Sequence, residues 1–303
     1  MTAVATGTGP TSPTVVRVRR PLTARRVVLH VFLAVIAVSW LFPLLWAVLN
    51  SFRDYAYTST HGYVSFGGWT VQNYVHAWQQ GDFTTHFLNS LYITVPAVVA
   101  TLFLSACVAF VLARFSFRFN VLLLGLFTAA NLLPQQSLLI PLFRMFREIP
   151  LPTWMSDSGL LLDSFWGLIL VNTAFQTGFC TFVLSNYMRT LPKELYEAAM
   201  VDGASVWRQF WGITLPLCRP PLAALATLEV TWIYNEFFWA TVLLQSGDKF
   251  PITSSLNNLR GQFFTDLNLV SAGSVIIAVP VLVIFFALQK HFVAGLTLGA
   301  NKG

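Results

Sequence analysis

Charge is scarce in this chain. Of 303 residues only 18 are Lys or Arg and 12 are Asp or Glu, 10% together, where a soluble domain carries roughly a quarter. So low a share excludes an ordinary water-facing globular surface. Cysteine is scarcer still. Cys107, Cys180 and Cys218 stand far apart, the first two inside apolar runs, which excludes a disulfide framework and the paired spacing of a structural metal site. His30, His61, His76, His86 and His291 are equally scattered and argue against a metal centre. No Ser/His/Asp arrangement, no paired catalytic carboxylates and no glycine-rich phosphate loop emerges. The chain therefore has nothing with which to hydrolyse ATP itself, and a membrane-embedded enzyme lacks its constellation.

What is abundant is apolar surface. Hydrophobic residues make up 55% of the chain, with a mean hydropathy of +0.65. The apolar runs are long enough to cross a ~30 Å hydrocarbon core as helices of about 20 residues. They predict an all-α transmembrane domain over 27–289 with six helices, at about 27–49, 87–112, 121–143, 165–188, 222–244 and 269–288. Pro43, Pro96, Pro134 and Pro280 lie inside such runs, where neighbouring helices can satisfy the freed carbonyls. The first run follows Arg17, Arg19, Arg20, Arg25 and Arg26 but is too long for a signal-peptide core and has no small-residue cleavage site after it. Residues 1–26, rich at first in Thr, Pro, Gly and Val, read as a disordered tail, and 290–303 as a second tail.

Charge also orients the helices. With the N-terminus in the cytoplasm, thirteen of the eighteen basic residues fall on the inside and five, Arg53, Arg144, Arg147, Lys249 and Arg260, on the outside. That bias places both termini and the 189–221 loop in the cytoplasm of a multi-pass cell-membrane protein.

The loop has its own pattern. Thr190 and Pro192 suit the start of a short helix, and Glu194, Glu197, Ala198, Ala199 and Met200 are good helix formers. After Asp202, Gly203 can take the positive φ that ends it. Ser205 is a candidate N-cap for a second helix in which Trp207, Phe210 and Trp211 share a face, ended by Leu215-Pro216. Physics alone leaves two readings open: an amphipathic helix pair lying on the bilayer, or a knob that docks on a cytoplasmic partner.

A resemblance bears on that choice. Glu197-Ala198-Ala199, three residues, Gly203, nine residues, then Ile213-Thr214-Leu215-Pro216 is similar to the EAA motif of permease subunits in bacterial ABC importers, complete in residues and spacing. In that family the loop forms coupling helices seated in a cleft of the cytoplasmic ATPase. The resemblance covers nearly the whole chain beyond the tail, and its details look like the carbohydrate subgroup, similar to the second permease of the maltose importer. Phe42-Pro43-Leu44, Asn50-Ser51-Phe52-Arg53, Asn73-Tyr74, Asn89-Ser90-Leu91, Ala113-Arg114-Phe115, Pro134-Gln135 and Ile140-Pro141-Leu142 carry it. The C-terminal stretch with Gly295, Gly299 and Lys302 resembles a tail that reaches toward the ATPase. The chain departs from the subgroup at Tyr234-Asn235-Glu236-Phe237, where a tryptophan is usual at the first position, and at Ala240, near an expected proline.

The resemblance implies a transport subunit working with a second permease, two copies of a nucleotide-binding ATPase that hold ATP and Mg, membrane lipid and an extracytoplasmic sugar-binding protein. It implies no cofactor on this chain and no nucleic-acid partner. Polar groups inside the predicted spans are costly and tend to face a cavity. Asn131 and Gln135 in the third, Asn172 and Gln176 in the fourth, and Glu229, Asn235 and Glu236 in the fifth are therefore candidates for a translocation path, with Glu229 and Glu236 expected on one helix face. Interhelical hydrogen bonding is the competing role for each. A permease for a polyol phosphate or peptide, and a secondary transporter, are the alternatives.

Overall fold

A computed structural model describes residues 24–131, 133–260 and 265–297, with side chains through 287. The expected tail over 1–26 lies outside these residues except for its last three, which are already helical, and Gly299 and Lys302 lie outside them too. Among the described residues there is no strand, only the isolated bridges Arg53–Trp69 and Pro150–Leu160.

The α-helices in chain order are α1 (Ala24–Ser51), α2 (Tyr55–His61), α3 (Gln72–Gln80), α4 (Phe83–Arg114), α5 (Asn120–Ala130), α6 (Leu139–Glu148), α7 (Phe165–Met188), α8 (Lys193–Val201), α9 (Val206–Gln209), α10 (Leu215–Leu217), α11 (Arg219–Tyr234), α12 (Phe238–Leu243), α13 (Ile252–Ser255) and α14 (Leu267–Thr297). The chain divides into two compact units, residues 1–46 and 47–303. In the first, α1 presents Val28, Phe32, Val35, Val38 and Trp40 to its surroundings, as a lipid-facing helix does.

In the second unit the central pair is α4 and α7. Their meeting faces are built from small residues, Ala97, Thr101, Ser105, Ala106 and Ala109 on α4 and Thr173, Gly178, Thr181 and Ser185 on α7, all buried. Small side chains bring helix backbones close where lipid supplies no hydrophobic drive. A Cβ on Gly178 would stand 2.6 Å from the Phe127 carbonyl oxygen, so glycine there lets α5 approach α7. Ile93, Leu168, Ile169, Ile233 and Trp239 fill one core. Ala109, Phe110, Leu184, Tyr196 and Phe210 fill a second, and Phe83, Tyr234, Ile252, Leu259 and Ala272 a third.

Among the described residues four helices are long and apolar enough to cross a membrane: α1, α4, α7 and the Leu267–Ala287 part of α14. α7 coincides with the predicted fourth run. Two predicted helices are corrected. The third is broken: α5 and the Gln135–Glu148 segment bend by 94°, and counting that pair gives a fifth candidate span. The reason is Pro134, which has no N–H, takes ψ 123° and disfavours a helical Leu133 before it. The fifth stops at Tyr234 and resumes as α12; at 16 residues α11 is short of a span by itself. The last helix runs to Thr297, so the expected tail from 290 begins as helix and Gly295 sits within it.

Candidate functional site: the loop after α7 and a carboxamide-lined cavity

The loop after α7 is built by short-range bonds. Gly203 has φ 74°. Its N–H donates to the Met200 carbonyl at 3.0 Å, and the Ala204 N–H reaches back to the Ala199 carbonyl at 2.8 Å. This is a Schellman termination, which satisfies the last carbonyls of α8 and needs a residue at positive φ. Ser205 caps α9, its Oγ accepting from the Arg208 N–H at 3.3 Å. The predicted stop at Leu215-Pro216 is corrected: the backbone winds through a π-helical stretch, Phe210–Thr214, into α10, whose first turn holds Pro216.

The two short helices are tied to each other and to the bundle. The Tyr196 and Thr214 hydroxyls lie 3.1 Å apart. Gln209 Nε2 donates to the Ala204 carbonyl at 3.0 Å. The Arg114 guanidinium, at the end of α4, stacks 4.7 Å from the centre of the Tyr196 ring. Tyr196, Ala199 and Phe210 are buried, whereas Glu194, Glu197, Ala198, Asp202, Gly203 and Pro216 are exposed and Ile213 and Leu215 half-buried. Of the expected aromatic face only Phe210 is buried; Trp207 and Trp211 pack against its ring at 5.6 and 5.5 Å but remain exposed. The loop thus offers acidic and apolar side chains on a frame fixed to α4.

Far along the chain, a cavity of about 460 Å³ gathers six of the seven predicted path residues: Asn131, Gln135, Asn172, Gln176, Asn235 and Glu236. Asn131 comes from the break after α5, Asn172 and Gln176 from one face of α7, and Asn235 and Glu236 from the break between α11 and α12. The amides of Asn131, Asn172 and Asn235 each donate to the carbonyl four residues back, at 2.8–2.9 Å. Such a bond orients each amide and leaves its oxygen available.

Glu236 carries the cavity's one acidic group, and it is already engaged. Its Oε1 accepts the Trp239 N–H at 2.6 Å and its Oε2 the Ala240 N–H at 3.0 Å, so it caps α12 where orphan N–H groups favour a carboxylate. The aromatic lining was not foreseen. Phe175 stacks on Trp239 at 5.6 Å and Phe179 meets Trp232 at 5.3 Å, all four in the wall. Aromatics beside carboxamides on α7 were the available signal. Among the described residues no Lys or Arg lines the cavity.

Glu229 does not join it. The helix ends at Tyr234, so the i, i+7 relation to Glu236 never forms on a common face. Glu229 is wholly buried, its Oε1 accepting from the Cys180 thiol at 3.0 Å; among the described residues its Oε2 has no partner.

A further cluster escaped the sequence reading. Asp163, at φ 58°, accepts the backbone N–H groups of Gln245 and Ser246 at 2.8 and 2.9 Å and the Ser246 hydroxyl at 2.5 Å. Lys249 Nζ donates to its backbone carbonyl at 2.9 Å and bridges Asp157 at 3.3 Å. Burial alone raises the Asp163 carboxyl, but the Ser246 and Gln245 donors and the Lys249 charge outweigh it and hold it below the usual aspartate value. This clamp joins the start of α7 to the segment after α12.

Residues 105–298 match the family described as binding-protein-dependent transport system inner membrane component. An arabinooligosaccharides transport system permease protein, AraQ, of Halalkalibacterium halodurans is 32% identical over 276 residues, 90% of this chain and 94% of its own. A diacetylchitobiose uptake system permease protein, NgcG, of Streptomyces coelicolor is 29% identical over 275 residues, 90% and 88%. The fold is that of a chain in the crystal structure of a bacterial ABC transporter involved in the import of the acidic polysaccharide alginate. The TM-score is 0.73 at 24% identity, covering 93% of this chain and all of that one.

Proposed function

The chain belongs to the family of binding-protein-dependent transport system inner membrane components, and on that footing we propose that it forms half of the pathway of an ABC importer for an uncharged carbohydrate. The observation that carries the cargo is the cavity wall. Five carboxamides and six aromatic side chains converge where the only carboxylate is taken up by backbone N–H groups. Hydroxyls need donors and acceptors in equal measure, which carboxamides supply, and sugar faces pack on aromatic rings. A polyol phosphate would need a cation, and the lining has none. Relatives named for arabinooligosaccharide and diacetylchitobiose uptake support the same class.

In this reading the membrane is crossed six times, α5–α6 and α11–α12 each serving as a broken crossing, with both termini in the cytoplasm. A second permease completes the pathway, and a binding protein delivers the sugar from outside. Two ATPase subunits hold ATP and Mg and grip the exposed acidic face of α8. Their closure moves α8, and because Tyr196 is locked to both Arg114 and Thr214, α4 and the segment leading into α11 follow. The cavity is then biased between its inward- and outward-open states by a ligand that prefers one of them.

The test is reconstitution of the importer in liposomes with neutral oligosaccharides. Accumulation is expected only with ATP, the binding protein and all subunits, and the chain alone should show neither ATPase activity nor flux. Flux by the chain alone under an ion gradient would instead establish a secondary transporter. A reporter fused after Pro216 is expected in the cytoplasm and one near Gly62 outside; the reverse would overturn the six-crossing topology.

A further inference from the structure

A second cavity, of about 550 Å³, lies beside α8, and the transport role proposed above assigns it no ligand. It opens where α4 ends, α5 begins, α7 ends and α8 starts. Three cations line it, Arg114, Arg189 and Lys193, against one carboxylate, Glu197, a net of +2. None of the three cations is neutralised: among the described residues the only ion pairs are those of Lys249 with Asp157 and Asp163, and the Arg114 guanidinium rests on a ring rather than an anion. Arg189 and Lys193 are exposed. Deeper in, the wall turns apolar, with Phe110, Leu112 and Met188.

One more group there lacks a partner. The Asn120 side chain donates through Nδ2 to the Leu112 and Phe115 carbonyls, both at 2.8 Å, which fixes its orientation. Asn120 Oδ1 is buried without a hydrogen bond among the described residues. A buried acceptor without a donor is costly unless something supplies one.

We infer that this cavity binds the headgroup of an anionic phospholipid, its phosphate among Arg114, Arg189 and Lys193 beside the amide of Asn120, and an acyl chain along Phe110 and Met188. The depth favours lipid over a cytosolic anion. Arg114 closes one helix long and apolar enough to span and Met188 closes another, so the cations stand at the level where a spanning helix leaves the hydrocarbon and meets headgroups. Basic pockets between helices on the cytoplasmic side are suited to such headgroups. Because Tyr196, on α8, forms part of the wall and carries Arg114, a bound lipid would brace the coupling helix against α4. The inference rests on the proposed membrane placement of α4 and α7, though not on the identity of the cargo.

The experiment uses the complete importer in nanodiscs of phosphatidylcholine doped with phosphatidylglycerol, with retained lipid identified by native mass spectrometry. The parent protein is expected to keep phosphatidylglycerol. The double variant Arg189→Gln, Lys193→Gln, both at exposed positions that leave the core intact, should lose it by on the order of tenfold or more. Arg208→Gln, a basic residue of the same loop outside the cavity, should retain it. Equal retention by the parent and the double variant would overturn the site. Displacement by inorganic phosphate at matched ionic strength would assign it to a free anion and overturn the lipid reading, as would retention that appears only once the ATPase is stripped away. Both faces of a nanodisc meet lipid and buffer, so failure here is separable from an inverted topology, which the reporter fusions read.

Discussion

The loop between α7 and α11 and the carboxamide cavity are both polar interruptions of an oily chain, yet they are specified over different distances. The loop closes through bonds that stay between Tyr196 and Thr214: the Ala204 N–H to Ala199, the Arg208 N–H to Ser205, and the Tyr196 hydroxyl with that of Thr214. The cavity draws on three places between Asn131 and Trp239 and exists only when α5, α7 and α11 have packed. A change in the loop should therefore act through one local conformation, and a change in the cavity through what it removes from the wall.

The largest effect is expected at Gly203. A side chain at φ 74° pays about 1–2 kcal/mol for the left-handed conformation, and more for a β-branched residue. Space is not the issue, since nothing lies within 4 Å of a Cβ there. Gly203→Val should therefore abolish co-purification of the ATPase, while Gly203→Asn, which tolerates that φ, should largely preserve it. Equal behaviour of the two variants would remove the conformational explanation.

Next comes Glu197→Lys. The site is exposed, so the membrane fold should survive, measured as unchanged thermal stability. Affinity for the ATPase should drop roughly tenfold, about 1.4 kcal/mol. A helix merely resting on anionic headgroups would accept the lysine or gain from it, so normal assembly and uptake would return the loop to that role.

In the cavity, Gln176→Ala and Asn235→Ala should each weaken sugar handling by a hydrogen bond, about 1 kcal/mol or a several-fold rise in apparent KM, with little change in maximal rate if the contact is equal in both states. Loss of ATPase assembly in these variants would erase the separation between the regions.

The smallest effect belongs to the Asp163 clamp, which lies in neither. Its carboxyl is held below the ordinary value in the folded protein, so its contribution is present above the unfolded carboxylate pKa, about 3.9, and is lost as pH falls through the lower folded value. Asp163→Asn should flatten the acid limb of the thermal midpoint against pH while leaving the neutral-pH cavity contacts untouched. An unchanged acid limb would mean that the clamp's donors are satisfied equally well by a neutral acceptor.

The sequence alone determined the α7 boundaries, the glycine-ended α8 and the Ser205 cap, because each depends on hydrophobic run length or on residues within a turn or two of one another. It also named six of the cavity's twelve lining residues, since amides inside apolar runs stand out by their insertion cost. It missed the helix breaks at Pro134 and Tyr234, where hydropathy averaged over a window cannot see a helix stop and restart. Only the tertiary structure decided that Glu229 leaves the path for Cys180 while Glu236 caps α12. Both are glutamates in one apolar run, and what separates them is which neighbour each meets: the face of α7 in one case, the unpaired N–H groups of a new helix in the other.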